Sequence, residues 1–126
     1  MKQVTVDANV FLRLLLDDVP SQVKEAEKLL EQAKKSTINL HVDQIVIFEI
    51  NFILDKYYHI PKSEIIDKLK SIVQTPYLEI QDREVFIMAL KVFAKHNISL
   101  VDSFILAKCK TENWELFTFD KNLQKL

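Results

Sequence analysis

The sequence predicts an α/β fold: a mostly parallel central sheet flanked by helices on both faces. Short β-branched or aromatic runs alternate with amphipathic helical stretches along the chain, the pattern of strands joined by helical crossovers. No linker, repeat or low-complexity stretch interrupts that alternation. The 126 residues, 48% hydrophobic and 28% charged, suit a single domain over 1–126 with one core.

Each element has its own signal. Residues 2 to 6 (KQVTV) read as a short buried strand, followed by a helix near 10 to 16 and a charged amphipathic helix from about Pro20 to Lys35. Pro20 suits a first helical turn, where a missing N–H costs nothing. INLHV at 38 to 42 is β-rich and leads into a strongly apolar helix from about Asp43 to Tyr57. Pro61 opens a fourth helix that runs to Val73 and ends before Pro76, and YLEI at 77 to 80 forms a third strand. Asp82 starts a fifth helix through VFIMALKVFAKHN, and Ser99 or Asp102 opens a sixth that reaches about Glu112. LFTF at 116 to 119 reads as a fourth strand, with Trp114 before it in the core and a short helix in DKNLQKL after it.

Composition excludes several functions. Glycine is absent, which removes the P-loop and the dinucleotide fingerprint, both of which need it for close approach to phosphate. Turns must rely on other residues, and Asn39, Asn97 and Asn113 stand at expected helix ends, where Asn tolerates the left-handed conformation. A single cysteine, Cys109, rules out an intramolecular disulfide and any multi-cysteine zinc site; it reads as a small buried hydrophobe. His41, His59 and His96 lack zinc-motif spacing.

The net charge of -1 and the predominance of Lys, fifteen against two Arg, give no global footprint for tight nucleic-acid binding. Brief engagement of nucleic acid by a turnover enzyme stays compatible with that charge. The longest unbroken apolar run, Val85 to Leu90, is far below the roughly 20 residues of a membrane span. Asp7 and Arg13 interrupt the amino-terminal apolar stretch where a signal peptide would need continuity, so a cytoplasmic protein is expected.

Four acids stand apart from the rest. Asp7 in VTVDANVF, Glu49 in IVIFEINFIL, Asp102 in ISLVDSFIL and Asp120 in LFTFDK are each embedded in apolar sequence. Burial of an ionised carboxylate is costly unless a cation compensates it, and four such groups from distant segments suggest one shared cation. Glu49 is the clearest case, because its neighbours three and four residues away, Ile45, Val46, Phe52 and Ile53, are all apolar. Asp7 and Asp120 fall at strand exits, where open α/β sheets gather their sites.

Hard oxygen donors favour Mg²⁺ or Mn²⁺ over softer metals. Such an ion with open positions can orient water, acidify it and screen a phosphodiester during in-line attack, so hydrolysis of a nucleic-acid backbone is the expected reaction. Helix capping by Asp102 or Asp120 is compatible with that role.

The fragments VDANV at 6 to 10, the isolated Glu49, LVDSFILA at 100 to 107 and FTFD at 117 to 120 resemble the PIN-domain ribonucleases, particularly the VapC-like toxins of toxin–antitoxin pairs. The resemblance covers nearly the whole chain. It implies a PIN-like α/β/α fold, a metal site made of Asp7, Glu49, Asp102 and Asp120, and cleavage of single-stranded RNA. It also implies a homodimer and a small antitoxin that blocks the pocket. Asn9 and Thr118 match positions that orient the carboxylates, whereas Asn122 stands where many relatives carry another acid and Asn113 where many carry glycine.

Arg13, one helical turn beyond Asp7, is the candidate for substrate phosphate or for an ion pair with a pocket acid. Lys24, Lys28, Lys34 and Lys35 read as a solvated helix face, and Tyr57 and Tyr58 as packing or interface residues. Helices around 45 to 54 and 85 to 93 are apolar on more than one face, which points to self-association. Two other functions are compatible with the residues. One is a phosphohydrolase or phosphoacceptor using Asp7, with Asn9 replacing the second aspartate of that motif; the other is a catalytically silent binding module.

Overall fold

A computed structural model describes residues 1–126. The chain is α/β and separates into two compact units, Met1–Gln81 and Asp82–Leu126. The first contains β1 (Lys2–Thr5), α1 (Ala8–Leu16), α2 (Pro20–Lys34), β2 (Ile38–Val42), α3 (Gln44–Lys56), α4 (Lys62–Val73) and β3 (Leu78–Ile80). The second contains α5 (Arg83–Lys95), α6 (Leu100–Glu112) and the single-turn α7 (Lys121–Gln124).

The sheet has three strands in the order β1-β2-β3, all parallel. Val4 lies opposite Leu40, and Leu40 opposite Leu78, so one face of the sheet runs into the core. Leu40 and Val42 are completely buried, and the alternate residues Asn39 and His41 are half-covered. His41 meets Gln3 on that second face, Nε2 to Oε1 at 2.6 Å. The α1 helix packs on α2 and α3, α2 on β2, and α3 on α4. Buried positions follow helical periodicity: Ala8, Phe11 and Leu12 on α1; Val46, Ile47, Ile50 and Leu54 on α3.

In the second unit α5 and α6 form a helical hairpin. Val85, Phe86, Ala89, Leu90 and Phe93 make the buried stripe of α5, and Phe86 meets Phe104 of α6 with ring centroids 4.8 Å apart. Ser103 is the one fully buried polar residue on this hairpin, and its hydroxyl donates to the Ser99 carbonyl at 2.8 Å. The open end of the hairpin is closed by Lys108, whose ammonium lies 3.3 Å from Asp82 and 3.6 Å from Glu112 and sits 5.8 Å from the Trp114 ring centre.

Four expectations require correction. Residues 114–118 are irregular, so LFTF is not a fourth strand, and no sheet hydrogen bonds hold it. Its aromatic, β-prone composition satisfies the strand pattern, but a strand also needs a partner edge. Trp114 is 59% exposed rather than core. Of the three Asn expected in left-handed backbone only Asn113 adopts it, at φ 58; Asn39 lies within β2, and the other left-handed positions are Asp17, Ser36, His59 and Asp82. Cys109 is half-buried and free. No helix is long and apolar enough to cross a membrane.

Candidate metal centre

Asp7 occupies the joint between β1 and α1, flanked by buried Val6 and Ala8. It is the N-cap of α1, and its Oδ1 accepts the Asn9 N–H at 3.1 Å. Asp120 has the same local geometry at the other end of the chain. Its Oδ1 accepts the N–H groups of Asn122 at 2.8 Å and Leu123 at 3.2 Å, capping α7. In both acids the hydrogen bonds use one carboxylate oxygen, which leaves Oδ2 uncommitted.

Asp102 stands in the first turn of α6, half-buried, but Ser99 is the residue that caps this helix. The Ser99 hydroxyl accepts the Asp102 N–H at 3.0 Å, so the Asp102 carboxylate is not consumed by capping. Glu49 lies on the body of α3 on the side opposite the buried stripe, beside exposed Ile45 and Phe52.

The inference that these carboxylates are removed from water is overturned. Asp7, Glu49 and Asp120 are exposed and Asp102 is half-buried. For Glu49 the reason is specific: apolar neighbours in sequence signal burial only where something covers them, and Ile45 and Phe52 are themselves 71% and 53% exposed. Exposure removes the desolvation argument for a cation. It also means that three of the four acids are accessible to solvent ions.

The four acids share a second property. The ion pairs of the chain join Arg13 to Asp18, Lys35 to Glu31, Lys56 to Asp55, and Lys108 to Asp82 and Glu112, so none of the four is paired with a Lys or Arg. Asp7 and Glu49 belong to the first unit, Asp102 and Asp120 to the second. Within neither unit do three or more His, Cys, Asp or Glu side chains form a group able to hold a metal ion.

Carboxylate oxygens with uncommitted lone pairs and no ammonium or guanidinium partner are the donor type that hard divalent cations take, and each unit carries two of the four acids. Supporting residues act through the backbone more than was expected from their side chains. The Thr118 hydroxyl accepts the Asp120 N–H at 3.1 Å, and the Thr118 carbonyl accepts from Gln124 Nε2 at 2.8 Å. Asn9 and Asn122 each contribute a main-chain N–H to the neighbouring carboxylate.

Arg13 pairs with Asp18 at 3.4 Å, and its Nε is buried without a hydrogen-bond partner. Together with Asn9, Gln22 and Glu25 it lines a cavity of about 510 Å³ between α1 and α2. Sequence reasoning missed Asp18 as the partner, although its spacing five residues beyond Arg13 puts it just past the end of the same helix. It also missed that Phe117 and Phe119, on either side of Thr118, stand in water, because both were read as strand residues.

Comparison with curated proteins finds no significant match. The family profile of the PIN domain matches residues 4–126, a span that contains all four acids, the Asp7 and Asp120 caps and every element after the first residues of β1. The chain therefore belongs to the PIN-domain family, whose members are generally metal-dependent nucleases.

Proposed function

We propose that this protein is a divalent-metal-dependent endoribonuclease that cleaves single-stranded RNA, the toxin of a toxin–antitoxin pair, working in the cytoplasm as a single PIN-like domain. The observation that carries the reading is membership of the PIN-domain family together with four acids that are free of ion-pair partners. Asp7, Glu49, Asp102 and Asp120 are the residues that hold Mg²⁺ or Mn²⁺. When bound, the cation neutralises charge on a phosphodiester and acidifies the attacking water.

The protein's own groups supply orientation. Capping bonds to Asp7 and Asp120 fix one oxygen of each carboxylate, so the free oxygen is presented in a defined direction before any ligand arrives. Thr118 holds the main chain of Asp120 from the other side. Arg13 contributes to binding substrate phosphate. Uncovered apolar side chains on α3, Ile45 and Phe52, support homodimer formation, and a small antitoxin protein is the natural inhibitor.

The test is cleavage of defined single-stranded RNAs with and without added Mg²⁺ or Mn²⁺, with Asp7→Asn as control. Cleavage is expected only with metal and should fall by roughly a hundred-fold or more in the variant. Full activity after exhaustive chelation would refute the proposal. Neutralising Glu49 to Gln should leave the metal-free protein equally stable or more so, because Glu49 is exposed and the change breaks no ion pair.

A further inference from the structure

The cavity of about 510 Å³ between α1 and α2 carries two opposite charges on its walls that do not meet. Arg13 pairs with Asp18 at 3.4 Å and with no other acid, and Glu25 pairs with no base, although both line this one space. The side-chain amides of Asn9 and Gln22, also on its walls, have no hydrogen-bond partner within the protein. Every lining residue belongs to the first unit, so the packing of α1 on α2 defines the space.

Helix geometry builds these walls. Asn9 and Arg13 stand one turn apart on α1, and Gln22, Glu25, Ala26 and Leu29 recur at the three-and-four spacing of one face of α2. Ala26 is buried there, and its short side chain leaves room that a longer one would fill. Arg13 is held in place: its side chain is 19% exposed, its Nε is buried, and its Nη1 reaches Asp18 just past the end of α1. A ligand that satisfies the cavity needs an anionic end for Arg13, a compact body against Val10 and Leu29, and N–H donors for the Glu25 carboxylate.

We infer that this cavity takes one guanosine of the single-stranded RNA, with Arg13 on its phosphate and Glu25 on the Watson–Crick edge of the base, and that cleavage is selective for that nucleotide. The assignment rests on the nuclease reading given above. Guanine alone among the RNA bases presents two adjacent N–H donors, N1–H and the N2 amino group, which match the two oxygens of one carboxylate. Adenine and cytosine place a ring acceptor beside their single amino group, and uracil sets one N–H between two carbonyls, so a carboxylate meets repulsion on each. The Gln22 amide supplies an N–H donor for guanine O6. The cavity also adjoins a candidate metal ligand within the same unit: the Asn9 N–H donates to Asp7 Oδ1 at 3.1 Å, and the Asn9 side chain lines the cavity. Its volume lies within the roughly 300–1,000 Å³ of small-ligand sites.

The test has two arms. In the first, the metal-free protein is titrated with the 5′-monophosphates of guanosine, adenosine, cytidine and uridine, and binding is followed by NMR shifts of the α1 and α2 amides and of the Gln22 side chain. Guanosine monophosphate should bind about ten-fold tighter than the other three. Glu25→Gln should abolish that preference, and Arg13→Gln should weaken all four nucleotides alike. Glu25→Gln breaks no ion pair, so its melting temperature should match the wild type. In the second arm, random-sequence single-stranded RNAs are cut in the presence of Mg²⁺ or Mn²⁺ and the ends are sequenced. Wild-type cuts should fall at a fixed distance from guanine, and Glu25→Gln should lose that register.

Equal affinity for the four nucleotides, or a guanine register retained in Glu25→Gln, with metal-dependent cleavage intact, would overturn the assignment and leave the nuclease reading standing. Guanosine monophosphate binding that depends on Glu25, without cleavage of any RNA, would remove the nuclease reading and with it this role in cleavage. Tighter binding of a free α-amino acid, which also joins an anion to N–H donors, would make the cavity an effector site and overturn the assignment.

Discussion

Asp7 and Asp120 do the same local job in different surroundings, and the difference separates what holds a carboxylate from what holds the structure around it. Each caps a helix through one oxygen. Asp7 does so from a joint whose neighbours Val6 and Ala8 are buried, at the head of a nine-residue helix that buries Phe11 and Leu12. Asp120 does so at the end of an irregular segment, before a four-residue helix that buries only Leu123. Packing orients the first acid. Hydrogen bonds to Thr118, Asn122 and Leu123 orient the second.

The largest contrast should come from apolar truncation. Leu12→Ala, under the first acid, is expected to cost about 2–5 kcal/mol in urea unfolding, whereas Phe117→Ala, beside the second, should stay within about 0.5 kcal/mol. Equal losses would break the comparison. Next, Asp7→Asn and Asp120→Asn should each lower RNA cleavage by roughly a hundred-fold, about 2.7 kcal/mol, and leave the unfolding midpoint unmoved because Asn caps helices as well as Asp does. That pairing of lost activity with retained stability is what distinguishes a ligand from a structural acid.

Removing the cap itself sharpens the difference further. Asp7→Ala should cost about 1 kcal/mol, and Asp120→Ala about half that, since α7 is one turn long and ends frayed in any case. Of similar size and opposite sign is Asn113→Gly, which relieves a left-handed residue at the end of α6 and should raise stability by about 0.5 kcal/mol in thermal unfolding.

Much of the fold was legible from sequence because its signals were local. Pro20, Pro61 and Pro76 mark boundaries by removing a donor, and the three-and-four periodicity of α1 and α5 survives burial unchanged. The LFTF segment was misread for a reason that no local pattern contains. INLHV and LFTF are both short β-prone runs, but β2 has a strand on each side and the later segment has none. Trp114 and Glu49 failed in the same way: exposure is set by what covers a residue, and sequence neighbours do not report coverage.

The candidate site was legible as chemistry rather than as burial. The four acids were singled out from VDANV, the lone Glu49, LVDSFILA and FTFD, and the family profile bears out the PIN-domain part of the resemblance those fragments suggested. The capping roles of Asp7 and Asp120 follow from the helices that begin after them. The Arg13 pairing to Asp18 was not foreseen in detail, because a side chain of that length reaches several acids and only the turn after α1 selects one.

Lys108 gives the helical hairpin a property that its buried stripe does not. One ammonium stands between an acid at the start of α5 and another at the end of α6, with Lys108 and Asp82 partly sheltered from solvent and Glu112 exposed. Acetylation there would convert two attractions into one repulsion without touching the core. Lys108 thus adds a charged clasp at the open end of the two helices, on top of their buried stripe, and a modifying enzyme that erased its charge would loosen that end before the turn at the far side.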